Sequence, residues 1–193
     1  MGSSYQTVLA TGSLADVRAA VAAAQQTAVI IPVAESRWAV VPSQVDGIHA
    51  ETEKLAQLLS LAQGSVATSF DVFDSDVLVA MLFRDGSRYH EYLSDQAYLV
   101  ETWDDDDNEI LFDMLGRPYP PDATPPSGAY GADPAAFVAL GVAPVDEAEL
   151  GVALGRSELR AEEQHHAVLH ALNLDCAPLM MSYTEAVASG AGV

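Results

Sequence analysis

The sequence predicts an α+β fold: a mainly antiparallel, twisted sheet with helices packed on one face and a C-terminal helical cluster. Three observations predict it. The patterns run strand, helix, hairpin, helix, meander, which is not the regular alternation of a doubly wound sheet. The last third of the chain carries three helical patterns in succession. Half of the 193 residues are hydrophobic, and a chain of this length removes roughly 70% of its unfolded surface from water. One domain over 1–193 is therefore expected. It has a sheet with two helices over 1–103, an acidic and proline-rich loop over 104–133, and the helical cluster over 134–181.

Each element has a local reason. Tyr5 to Ala10 carries β-formers and opens the chain as a strand. Thr11-Gly12-Ser13 supplies a turn and an N-cap, with Asp16 at the N3 position, and Leu14, Val17 and Val21 share one face of the helix from Leu14 to Gln26. Ala28 to Ala34 and Trp38 to Pro42 flank the polar break Glu35-Ser36-Arg37 and read as a hairpin. Pro32 and Pro42 lack a ladder donor and belong at edges, bulges or strand ends. A helix from Ala50 to Gln63 shows the stripe Leu55, Leu58, Leu59, Ala62 and stops at Gly64.

Val66 to Phe73, a turn at Ser75-Asp76, and Val77 to Phe83 form the next hairpin. The second strand is apolar at every position, as a central strand is. Asp85-Gly86 is a type I′ turn signal, and Tyr89 to Leu93 returns. From Asp104 to Asp133 the chain reads as a long loop, with at most a short turn over Ile110 to Met114. Helices are expected over Pro134–Leu140, with Asp133 as N-cap, over Glu147–Leu154, and over Ser157–Leu172, opened by Ser157 and Arg160. The small, polar tail after Met181 is expected to fray.

Charge narrows function. There are 28 Asp and Glu against 8 Lys and Arg, Lys54 is the only lysine, and the net charge is −20. That field repels nucleic acid and anionic lipid and attracts basic partners, so neither nucleic acid nor a membrane is an expected partner. No apolar run approaches the ~20 residues of a membrane helix. Cys176 is the only cysteine, which points to a reducing, cytoplasmic setting. With no basic neighbour it reads as an inert thiol.

The acids cluster. Glu101, Asp104, Asp105, Asp106, Asp107, Glu109 and Asp113 fall in one stretch. Asp104, Asp106 and Asn108 mimic the first ligands of an EF-hand loop. The match then fails, because Glu109 stands where the sharp turn needs glycine and Leu115 where the bidentate Glu belongs. Glu162, His166 and His170 are spaced i, i+4, i+8 and share a helix flank within about 80°. Two histidines one turn apart with a carboxylate are candidate metal ligands. The metalloprotease pattern is absent, since Ala167 follows His166. His165 sits among Ala161, Val168, Leu169 and Leu172 and is expected to pack in the helix, bonded to backbone. There is no Gly-x-Ser-x-Gly elbow and no phosphate-binding glycine loop. No cofactor is implied.

Two stretches carry a resemblance. The segment from Asp74 to Tyr92, an Asp-Ser-Asp turn, an apolar strand, Asp-Gly and a polar strand, resembles a hairpin of an uncharacterised family of small bacterial proteins. The segment from His165 to Leu174 is similar to a terminal helix of the same group. The resemblance is local to these two segments. It implies a shared fold and carries over no catalytic residue.

The expectation is a non-enzymatic interaction module of inhibitor or immunity type. Asp104 to Asp107 and Glu109 would face a basic partner protein and speed its encounter. The alternative is a metal-binding protein or metal-dependent hydrolase using Glu162, His166 and His170. DNA mimicry would need carboxylates spaced like phosphates along a surface.

Overall fold

The opening strand lies inside the sheet, with a partner on each side. In the computed structural model, which describes residues 2–44, 50–103, 109–120, 122–156 and 158–193, β1 (Tyr5–Thr11) pairs antiparallel with β3 (Arg37–Pro42) and β4 (Val66–Phe73). β2 (Ala28–Ala34) adds outside β3, and β5 (Val77–Arg84) and β6 (Ser87–Leu93) continue beyond β4. The six strands run β2-β3-β1-β4-β5-β6, every neighbouring pair antiparallel.

The turns follow from local chemistry. Asp85 and Gly86 take positive φ (52° and 71°), as the type I′ turn requires. The preceding hairpin turns on Asp74 and Ser75 (φ 47° and 65°), one residue earlier than the sequence suggests. Pro32 sits at a register irregularity in the edge strand β2, where its missing N–H costs no ladder bond.

The α+β class, the antiparallel sheet, the helices on one face and the C-terminal helical cluster are as expected; the cluster covers the opposite face of the sheet. On one face Val8, Ala10, Val40, Val79 and Met81 pack under α1 (Leu14–Ala23) and α2 (Thr52–Leu59), through Val17, Leu55 and Leu59. On the other, Leu9, Phe70, Leu78 and Leu82 pack under the C-terminal cluster. That cluster contains α3 (Pro134–Phe137), α4 (Glu147–Gly155), α5 (Ala161–Ala171), α6 (Tyr183–Ser189) and the 3-10 turns Val138–Leu140 and Ala177–Met180. The reason lies in strand composition. β1 and β5 are apolar at both side-chain parities, so each face holds leucine- and valine-sized groups that gain about 1.5–3 kcal/mol apiece when covered.

Two expectations fail. The tail after Met181 does not fray. Ser182 and Glu185 form a full capping box for α6, and Val193 N–H donates to Ile30 O on β2 at 2.9 Å. The stretch 104–133, expected to be a loop, contributes β8 (Glu109–Asp113) and β9 (Pro118–Tyr119), which join β7 (Leu99–Trp103) just before it in a second sheet of order β7-β8-β9. Its β-formers Leu99, Val100, Thr102, Trp103, Ile110, Leu111 and Phe112 lie in two short segments on either side of the acidic run, which hides the pattern in sequence. Ser157, expected to open the last helix, lies outside the described residues, and α5 starts at Ala161. No helix among the described residues is long and apolar enough to cross a membrane.

Candidate functional site

The second sheet is anchored at its root and exposed along its first strand. At the root Asp113 is buried and its carboxylate accepts from Leu115 N–H (2.9 Å), Arg117 N–H (3.0 Å) and Arg117 Nε (2.6 Å). The Asp113 carbonyl accepts from Gly116 N–H, and Gly116 takes φ 76° to make that turn. The Arg117 guanidinium then stacks 4.0 Å over the Tyr130 ring. Tyr98, Met114 and Leu115 pack against the core beneath α1 and α2. The ribbon is therefore fastened by one buried carboxylate, one stacked guanidinium and three apolar side chains.

Beyond the root the register is regular: Val100 faces Phe112, Glu101 faces Leu111, Thr102 faces Ile110 and Trp103 faces Glu109. Side chains alternate between faces. One face thus carries Glu101, Trp103, Glu109 and Leu111, and the other carries Val100, Thr102, Ile110 and Phe112. Directly opposite residues have Cβ atoms about 4.5–5.5 Å apart, so Glu109 is the cross-strand neighbour of Trp103. Trp103 is 63% exposed, the most exposed large hydrophobic side chain among the described residues, and Val100 is 46% exposed. Glu101 and Glu109 are exposed and form no ion pair among the described residues. An aromatic face flanked by carboxylates attracts a guanidinium or ammonium through the ring quadrupole and the two charges together.

Of the predicted interaction residues, Glu109 is therefore on this face. Asp104, Asp105, Asp106 and Asp107 lie outside the described residues and follow Trp103 directly in the chain. Trp103 itself is not distinguished in sequence from Trp38. The structure separates them: Trp38 is half-buried and donates from Nε1 to Gly12 O at 2.9 Å.

The predicted metal ligands do not converge. The Glu162 Oε1 atom accepts from Ser75 Oγ at 3.0 Å, turned toward the junction where Ser3 N–H also donates to Ser75 Oγ. His166 and His170 stack with ring centroids 6.5 Å apart. They border a groove of about 330 Å³ between α4 and α5 that also holds Glu149 and Arg156. His170 Nδ1 pairs with Glu149 Oε1 at 3.4 Å. Glu162 and His166 line a depression of about 330 Å³ together with Glu163 and Met180. Among the described residues no group of three or more His, Cys, Asp and Glu side chains is placed to hold a metal ion. The helical spacing is as read, but Glu162 Oε1 is bonded to Ser75 Oγ and His170 Nδ1 to Glu149 Oε1.

His165 is fully buried, as expected for a core residue, yet its partner is a side chain. Its Nδ1 shares a 3.0 Å hydrogen bond with Tyr5 Oη, and its ring packs 4.4 Å from the Phe70 ring. With the phenol donating, only Nε2–H is left without a partner. The opposite tautomer would leave two groups unpaired. Burial, then the neighbouring His166, holds the imidazole down to about 3, so it is neutral. Burial, then Glu162, raises the Tyr5 phenol. Cys176 is half-buried, and burial followed by Asp175 pushes its thiol up, away from the thiolate.

No protein-family model, curated protein or solved structure matches the chain.

Proposed function

We propose that this chain is a non-enzymatic interaction protein that captures a basic partner protein on the Glu101–Trp103–Glu109 face of the β7–β8 ribbon. An inhibitor or immunity-type role fits that chemistry. One observation carries the reading: an indole exposed to 63% stands opposite one exposed glutamate and two residues from another. Exposed tryptophans of this kind serve as interface anchors. The four consecutive aspartates that follow extend the negative field, and the net charge of −20 steers basic molecules from a distance.

The test uses uniformly 15N-labelled protein and an arginine-rich peptide as probe, with a glutamate-rich peptide as control. The Trp103 indole Nε1–H resonance, assigned through its loss in Trp103→Phe, is expected to shift with the basic peptide and not with the acidic one. An indole signal that stays in place while the peptide saturates some other surface overturns the reading, as does the absence of any shift.

A further inference from the structure

We propose that the partner adds a β-strand to the outer edge of β7. The proposal rests on the reading that this ribbon binds a basic protein, and it specifies how. Unpaired strand edges template pairing with other chains, and proteins commonly cover or blunt them. Among the described residues, this protein does so, over all or part of the strand, at three of its four sheet edges. Along β2, Ile30 O accepts from Val193 N–H at 2.9 Å, and Val33 O accepts from Asp175 N–H at 2.9 Å. Along β6, Leu93 and Tyr130 exchange both backbone bonds (3.1 and 2.8 Å), and Gly131 lies so close to Glu91 O that a side chain there would collide. The edge at β9 is two residues long, and Pro118 offers no N–H. β7 is different. Its five residues contain no proline, four are exposed, and among the described residues its outer backbone groups have no partner.

The two faces of β7 specify the incoming strand. Glu101 and Trp103 call for arginine or lysine on one face. Val100 and Thr102, backed by Phe112 and Ile110, call for apolar, β-branched side chains on the other. The ligand is thus an extended segment in which basic and apolar residues alternate, held by main-chain bonds and sorted by side chains. A second copy of this chain does not meet that description. Antiparallel self-pairing centred on β7 sets Glu101 against Glu101 between two bodies of charge −20.

The experiment uses the full chain and a capped peptide of alternating arginine and valine. It is compared with two versions N-methylated at every arginine amide or at every valine amide. Alternate amides of a strand point to opposite edges, so methylation removes donors from one edge and leaves the side chains intact. The parent peptide is expected to bind and to protect β7 amides from hydrogen exchange, and at least one methylation pattern is expected to weaken binding about tenfold or more, a 1.4 kcal/mol effect. If both methylated peptides bind like the parent, strand addition is wrong while the acidic ribbon still binds basic chains. If the parent itself fails to bind, both the strand addition and the interaction reading fall.

Discussion

Tyr5 Oη lies 3.0 Å from His165 Nδ1 across a separation of 160 residues. This bond ties the first strand to α5, inside the core that the C-terminal cluster seals against the sheet. Both rings are buried, and the imidazole is neutral because burial, then the neighbouring His166, disfavours its charged form.

The pair makes stability depend on pH in a defined direction. His165 is held at about 3 in the folded state, against about 6.5 in an unfolded chain. Between those values the unfolded chain binds the extra proton. Stability is therefore whole above about pH 6.5 and falls as pH drops toward 3, by at most ~1.4 kcal/mol per pH unit. Urea unfolding at pH 7 and pH 5 should show a steeper loss for the native chain than for His165→Gln. Equal losses would refute the assignment. The comparison cancels the carboxylate contributions that both chains share.

Tyr5→Phe removes the donor and keeps the ring. It strands His165 Nδ1 in the core beside the already unpartnered Nε2. Leaving a buried polar atom unpaired costs about 1–3 kcal/mol. A lowered urea midpoint with an unchanged slope is expected, and an unchanged midpoint would show that the bond contributes nothing net.

The two tryptophans should respond oppositely. Trp103→Ala touches an exposed ribbon and should leave stability within about 0.5 kcal/mol of the native chain. Trp38→Phe loses the 2.9 Å bond to Gly12 O and leaves that carbonyl short of its donor, at a cost of about 1 kcal/mol. Thermal unfolding of both variants checks this, and a destabilised Trp103→Ala would place that indole in the fold and not at an interface.

Asp113→Asn should loosen the ribbon locally. The amide cannot match a carboxylate that accepts three bonds, including the 2.6 Å contact from Arg117 Nε. Charge-assisted bonds of this kind contribute about 1.5–3 kcal/mol. Faster hydrogen exchange is expected across β7 and β8, with the six-stranded sheet unaffected. Acceleration spread over the whole chain would show that the ribbon root is part of the global core.

Converting Asp104 to Asp107 together to Asn should slow association with a basic partner and flatten its salt dependence, whereas Trp103→Ala should mainly speed dissociation. Stopped-flow mixing with the alternating basic peptide at two ionic strengths separates the two effects. Unchanged association for the Asn variant would remove the aspartates from the encounter.

The sequence by itself determined the elements whose signals are local. The Ser13 and Asp133 caps, the Asp85-Gly86 turn and the apolar run from Val77 to Phe83 each depend on neighbours a few residues away, and each is where the sequence places it. It also determined the charge and its clustering. Only the tertiary structure decided the rest. Layering on both faces depends on which helices return to which side of the sheet, and that is settled by long-range packing. Glu162 shares a flank with His166 and His170 by helical periodicity, but its carboxylate answers to Ser75, 87 residues away. β7 and β8 are visible only as partners, because neither short segment alternates in sequence and only cross-strand pairing gives each its register. Trp103 and Trp38 are the same residue in sequence. Register and burial alone place one against Gly12 and hold the other in solvent beside Glu109.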